Sequence, residues 1–118
     1  MSILIAEDNE AQRHYLSELL AGEFPDHAPI VEAVDGEIAV KLALEHRPTL
    51  CILDIQMPKF SGVKAARAIW RDYSKARIIF WTQFPHEIYI NEIRKIVKLA
   101  DPPPTYGFIH KNNPESRF

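Results

Sequence analysis

Five short apolar runs punctuate the chain, and each gives way to polar or turn-forming residues. Ile3 to Ala6 stops at Glu7-Asp8-Asn9, and Ile30 to Val34 stops at Asp35-Gly36. Leu50 to Leu53 runs straight into Asp54, Arg77 to Trp81 ends at Thr82-Gln83, and Tyr106 to His110 ends at Lys111. Runs of this length bounded by turn formers predict buried strands. Between them the apolar positions recur at helical spacing. A first helix is predicted from Glu10 to about Leu20, with Leu16, Leu19 and Leu20 on its inner face and Gly22 as its stop. A second opens at Asp35-Gly36, turns Ile38, Ala39, Leu42 and Ala43 inward, and ends at His46-Arg47-Pro48, because the position before a proline disfavours helix. A third runs from about Ser61, a capping residue, to Tyr73, with Val63, Ala66, Ile69, Trp70 and Tyr73 as its stripe. A fourth spans roughly Pro85 to Ala100, where proline suits the first helical position. Its stripe is Tyr89, Ile93, Ile96, Val97 and Ala100, which leaves Ile88 and Ile90 outside it. Asp101 and three prolines then break the helix. Pro25 to Pro29 and Pro58 to Gly62 are loops, and Pro114 opens a last helical start within Asn112 to Phe118.

Strict alternation of strands and helices implies an α/β fold, a parallel sheet with helices on both faces. Right-handed crossovers leave few topologies, and the flavodoxin-like order 2-1-3-4-5 is the expected one. At 118 residues the chain makes one domain over 1–118. Composition narrows the function. A formal net charge of -2 without a Lys/Arg run argues against direct nucleic-acid binding. The lone Cys51 sits mid-strand as a small buried residue, which suits a reducing, cytoplasmic compartment. No signal peptide or membrane-spanning stretch is visible. The five histidines are scattered without metal-ligand spacing, and Met57, Trp70, Phe80 and Trp81 are packing residues.

The polar residues that end the strands carry the chemistry. In a parallel sheet Glu7, Asp8, Asp54, Thr82 and Lys111 fall on one edge, with the acids of strands one and three adjacent at the switch point. Three packed carboxylates repel and call for a cation. Oxygen ligands without His or Cys favour Mg²⁺ or Mn²⁺. A carboxylate such as Asp54 can attack phosphorus, and an ammonium and a hydroxyl then hold the transferred oxygens.

These residues resemble the receiver domain of bacterial two-component response regulators over essentially the whole chain. The resemblance is carried by Glu7-Asp8, by Asp54-Ile-Gln-Met-Pro with Gly62 eight residues on, by Thr82 and by Lys111. It implies that Asp54 is the phosphoacceptor and a histidine kinase the donor. Asp8 and Asp54, with the backbone carbonyl of Gln56, would bind Mg²⁺ directly, and Glu7 would act through water. Lys111 would contact the phosphoryl group, Thr82 would be the switch hydroxyl, and Phe108 the aromatic that packs inward when it engages. The output would then pass through the surface of helix four and strand five.

Gln83 stands where the family has a small residue, and the segment around Asp101 to Thr105 is longer than the family's. Asn112 follows Lys111 in place of a proline, a feature resembling receivers that precede a helix-turn-helix (LuxR/NarL-type) DNA-binding domain. The family's last helix is absent or barely begun. A homodimer is expected through helix four and strand five or through the face that last helix would cover. Two other readings are a degenerate receiver acting only as an interaction scaffold and a haloacid-dehalogenase-type phosphatase. The second lacks its acid two residues after the nucleophile, where this chain has Gln56.

Overall fold

A computed structural model describes residues 2–27, 29–83 and 87–111. Its elements follow the order β1 (Ile3–Ala6), α1 (Glu10–Glu23), a 3₁₀ turn at Pro25–His27, β2 (Ile30–Ala33), α2 (Gly36–His46) and β3 (Leu50–Asp54). Then come α3 (Gly62–Asp72), β4 (Ile78–Thr82), α4 (Glu87–Leu99) and β5 (Tyr106–His110). The sheet order is β2-β1-β3-β4-β5, as the alternation predicted, and every pairing is parallel. Ala6 pairs with Ala33 and Leu53, Asp54 with Trp81, and Thr82 with His110, so the carboxyl ends of all five strands share one edge.

Strand alternation divides the core into two layers. Leu4, Ala6, Leu53 and Phe80 point to the side packed by Ala39, Ala43, Ala66, Ile69, Trp70 and Ile93 of α2, α3 and α4. Ile3, Ile5, Ile52 and Trp81 point the other way, against Leu16 and Leu20 of α1. Strands apolar on both faces are what a helix-covered parallel sheet requires. Small residues bring α2 and α3 close. A side chain at Gly36 would place its Cβ 2.2 Å from the Phe60 carbonyl oxygen, so only glycine admits this approach.

The caps explain most boundaries. Asn9, Asp35 and Ser61 each accept a backbone N–H of the first turn that follows, opening α1, α2 and α3. Arg47 closes α2 in the left-handed region at φ 44. Several expectations are corrected. Gly22 does not stop α1, which continues to Glu23 and closes through the Phe24 N–H to Leu20. Leu19 and Ile38 are exposed, because the buried faces of their helices are narrow: α1 buries Leu16 and Leu20, and α2 buries Gly36, Ala39 and Ala43. β2 ends at Ala33, leaving Val34 exposed, and β4 begins at Ile78. Pro25 to His27 forms a 3₁₀ turn within the predicted loop. Ile90 is half-buried against the core, whereas Ile88 is 64% exposed. The predicted start of the fourth helix at Pro85 and the last helical start in 112–118 lie outside the described residues. Among the described residues, no helix is long and apolar enough to cross a membrane.

Candidate functional site

Glu7 follows the last residue of β1, and its N–H donates to the Ala33 carbonyl at 3.0 Å, extending the β1–β2 ladder by one step. The Glu7 carbonyl in turn accepts from the Arg13 guanidinium at 2.9 Å, and Arg13 Nε donates to Glu32 Oε1 at 3.1 Å. One arginine of α1 thus ties the β1 end to β2. Asn9 donates its N–H to Glu7 Oε2 at 3.1 Å while its side chain caps α1 through the Gln12 N–H at 2.9 Å.

Asp54 is the last residue of β3 and is 4% exposed. Its Oδ1 accepts the Gln56 N–H at 3.2 Å, a local side-chain turn that orients the carboxylate. The chain then folds back so tightly that the Gly62 N–H donates to the Ile55 carbonyl at 2.7 Å. A Cβ at Gly62 would stand 2.2 Å from the Asp54 carbonyl oxygen. The glycine eight residues after the aspartate is therefore a steric requirement of this turn.

Lys111 follows β5, and its N–H donates to the Thr82 carbonyl at 2.9 Å. Its ammonium donates to Asp54 Oδ2 at 2.9 Å and to Gln12 Oε1 at 3.0 Å, and forms an ion pair with Glu7 Oε1. The same nitrogen lies 5.1 Å from the centre of the Trp81 ring. Trp81 is thus more than a packing residue, since its face contributes a cation–π contact to the site.

Glu7, Asp8 and Asp54 each bring a carboxylate oxygen within 4.8 Å of the others. Glu7 and Asp54 are buried and Asp8 is exposed, so the cluster opens on one side. Burial pushes the Glu7 carboxyl up to about 7; the Lys111 hydrogen bond opposes the rise and the neighbouring Asp54 charge adds to it. Burial draws Lys111 down, but its hydrogen bonds to Glu7 and Asp54 outweigh that, and the net shift is upward. The ammonium is held charged between two acids, doing locally what a metal would do more completely. An all-oxygen set of three acids with one open side fits a hard divalent cation. A recess of about 450 Å³, lined in part by Asp8, Gln56, Ser61 and Tyr89, opens beside it.

The structure brings the predicted Glu7, Asp8, Asp54 and Lys111 into one cluster, with the Gln56 backbone on Asp54. Thr82 is buried at the end of β4, tied to Lys111 through its carbonyl. Phe108 packs inside, stacked on Phe80 with ring centroids 5.5 Å apart. Gln83 is exposed. Cys51 is a buried thiol, pushed up to about 12 by burial. The sequence reading missed Gln12, Arg13 and Tyr89. Gln12 and Arg13 sit in the turn of α1 next to the acidic loop, and that position was the available signal. Tyr89 was read only as part of the inward stripe of α4.

This geometry is that of a receiver. The family model for the response regulator receiver domain matches residues 3–99, and the chain belongs to that family. Receiver domains act as phosphoacceptor switches and not as catalytic enzymes. The oxygen regulatory protein NreC of Staphylococcus epidermidis is 32% identical over 119 residues, covering 100% of this chain and 51% of that protein. An uncharacterized response regulatory protein of Vibrio cholerae is 32% identical over 81 residues, 69% of this chain and 31% of its own length. The N-terminal domain of an uncharacterized protein from Wolinella succinogenes superposes with a TM-score of 0.79 at 27% identity, covering 96% of this chain and 83% of that one. The chain thus spans roughly a third to a half of these two curated relatives.

Proposed function

We propose that residues 1–118 form a receiver module that accepts a phosphoryl group on Asp54 from a histidine kinase. One observation carries the reading. A buried strand-end carboxylate is held by a lysine ammonium within a cluster of two further acids. In the transfer, an Asp54 carboxylate oxygen forms a bond to phosphorus while the phosphorus–nitrogen bond to the kinase histidine breaks. Asp8, Asp54 and the Gln56 carbonyl would hold Mg²⁺ directly, and Glu7 through water. Bound there, the ion would offset charge on the transferred oxygens. Lys111 already lies 2.9 Å from Asp54 Oδ2 and follows the phosphoryl oxygens with little movement. The Thr82 hydroxyl supplies the second contact, and the Thr82–Lys111 backbone bond couples the ends of β4 and β5 to it.

The added charge, roughly -1.5 to -2 by analogy with other phosphorylated side chains, biases the α4–β5 surface between two states. Phe108 is packed inward in this structure, so its switching role would be to hold that position once Thr82 is engaged. The output would be a partner, a second copy, or a DNA-binding domain such as those of LuxR-family relatives. Beryllofluoride with Mg²⁺ tests the reading, with tryptophan fluorescence, to which Trp81 beside Lys111 contributes, as the reporter in a Trp70→Phe background. Saturable quenching in wild type and none in Asp54→Asn supports it, and equal responses in both proteins refute it.

A further inference from the structure

A groove of about 610 Å³ lies away from the phosphoacceptor edge, between α3 and α4. Its floor is apolar and well packed. Trp70 is 6% exposed, its indole N–H donates to the Ala76 carbonyl at 3.0 Å, and its ring meets Phe80 and Tyr106 edge-on. Val63 and Ile96 complete that floor. Its rim is cationic. Lys64, Arg67 and Arg71 stand three and four residues apart on one face of α3, and Lys95 faces them from α4, against the single acid Glu92. Arg71 has an exposed ion pair with Asp72 at 3.7 Å, whereas Lys64, Arg67 and Lys95 have no ion-pair partner among the described residues. At the open end stands Leu99, 87% exposed, the most exposed of the large hydrophobic residues described. A second cleft is lined by Phe60 and Ala68 together with Lys64, Arg67 and Arg71.

In a chain of net charge -2, four cations against one acid around an apolar floor is a patterned feature. An apolar trough with a positive rim complements a segment with an apolar stripe and acidic flanks. The row from Lys64 to Arg71 covers about 10 Å of helix axis, or two turns.

We propose that the α3–α4 groove docks a short acidic amphipathic helix of a partner protein, with Leu99 and Trp70 packing its apolar stripe and Lys64, Arg67 and Lys95 pairing its acids. The docking does not depend on phosphorylation.

The test is selection of a random-peptide phage library on the intact chain. The enriched peptides are then measured by fluorescence anisotropy against wild type, Arg67→Glu, Lys95→Glu and Leu99→Asp. All three positions are exposed, and circular dichroism melting checks that each variant is folded. Leu, Phe or Trp at helical spacing among Asp and Glu is expected in the selected peptides. Each charge reversal should weaken binding by about tenfold or more, with amide and indole shifts mapping to Val63 and Trp70. Peptides without acidic enrichment, or binding indifferent to all three variants, would overturn the proposal. So would Arg67-dependent self-association in sedimentation, which would assign the groove to a second copy. Equal affinity for a single-stranded oligonucleotide, which would make it a general polyanion site, overturns it too. Unaltered Asp54 labelling in Arg67→Glu separates failure here from failure of the phosphoacceptor reading.

Discussion

At the scale of single residues, Glu7 and Lys111 define the electrostatic state of the site. Glu7 is 1% exposed, and burial pushes its carboxyl up to about 7 in the metal-free protein. A carboxyl raised in the folded state binds its proton more tightly there than in the unfolded chain. Its contribution therefore becomes unfavourable as pH rises from about 4.5 to about 7. Without divalent ions, Glu7→Gln should gain stability relative to wild type between pH 5 and 8, as thermal melts of both proteins would show. A constant difference across that range would remove the explanation. Cys51 gives a simpler check. With its thiol buried and raised to about 12, it should resist a thiol-specific disulfide reagent at pH 8 until the protein is denatured. Prompt reaction in the native state would mean that the core opens locally.

At the scale of elements, the caps and the two close-approach glycines do most of the positioning. Gly62 is the sharper case, since any side chain there meets the Asp54 carbonyl. Gly62→Ala should cost about 1–3 kcal/mol by forcing backbone shifts, and should also slow Asp54 labelling by displacing the carboxylate. Urea denaturation and a labelling time course would measure the two effects, and unchanged values for both would contradict the steric account. Strands and their order were legible because each apolar run ends in a polar or turn-forming residue. Helix ends were less so. Gly22 suggested a stop, yet the backbone at that position is fully helical and nothing lies near a Cβ there, so its preference for helix ends is overridden. Leu19 and Ile38 fit the helical period but face solvent, because periodicity gives a face and not its width.

At the scale of the whole molecule, the parallel sheet delivers chemistry from residues distant in sequence. The acids and the lysine were readable because strand ends must share one edge. Gln12 and Arg13 were not, since their partners Lys111 and Glu32 are fixed only by tertiary packing. The same scale decides whether α4 forms an interface. Ile90 packs against the core, so Ile88, 64% exposed, is the position to test. If α4 carries the dimer contact, Ile88→Asp should reduce self-association by at least tenfold in sedimentation, and no change with or without beryllofluoride would exclude that surface. Acceptance of a phosphoryl group by Asp54, in a site completed by a divalent cation, is measured by intact mass spectrometry. The chain is incubated with acetyl phosphate, with Mg²⁺ or with a chelator. One added phosphoryl group is expected that needs Mg²⁺, is lost on mild alkaline or hydroxylamine treatment, and is absent in Asp54→Asn. No mass gain in wild type, or an equal gain in Asp54→Asn, would contradict it.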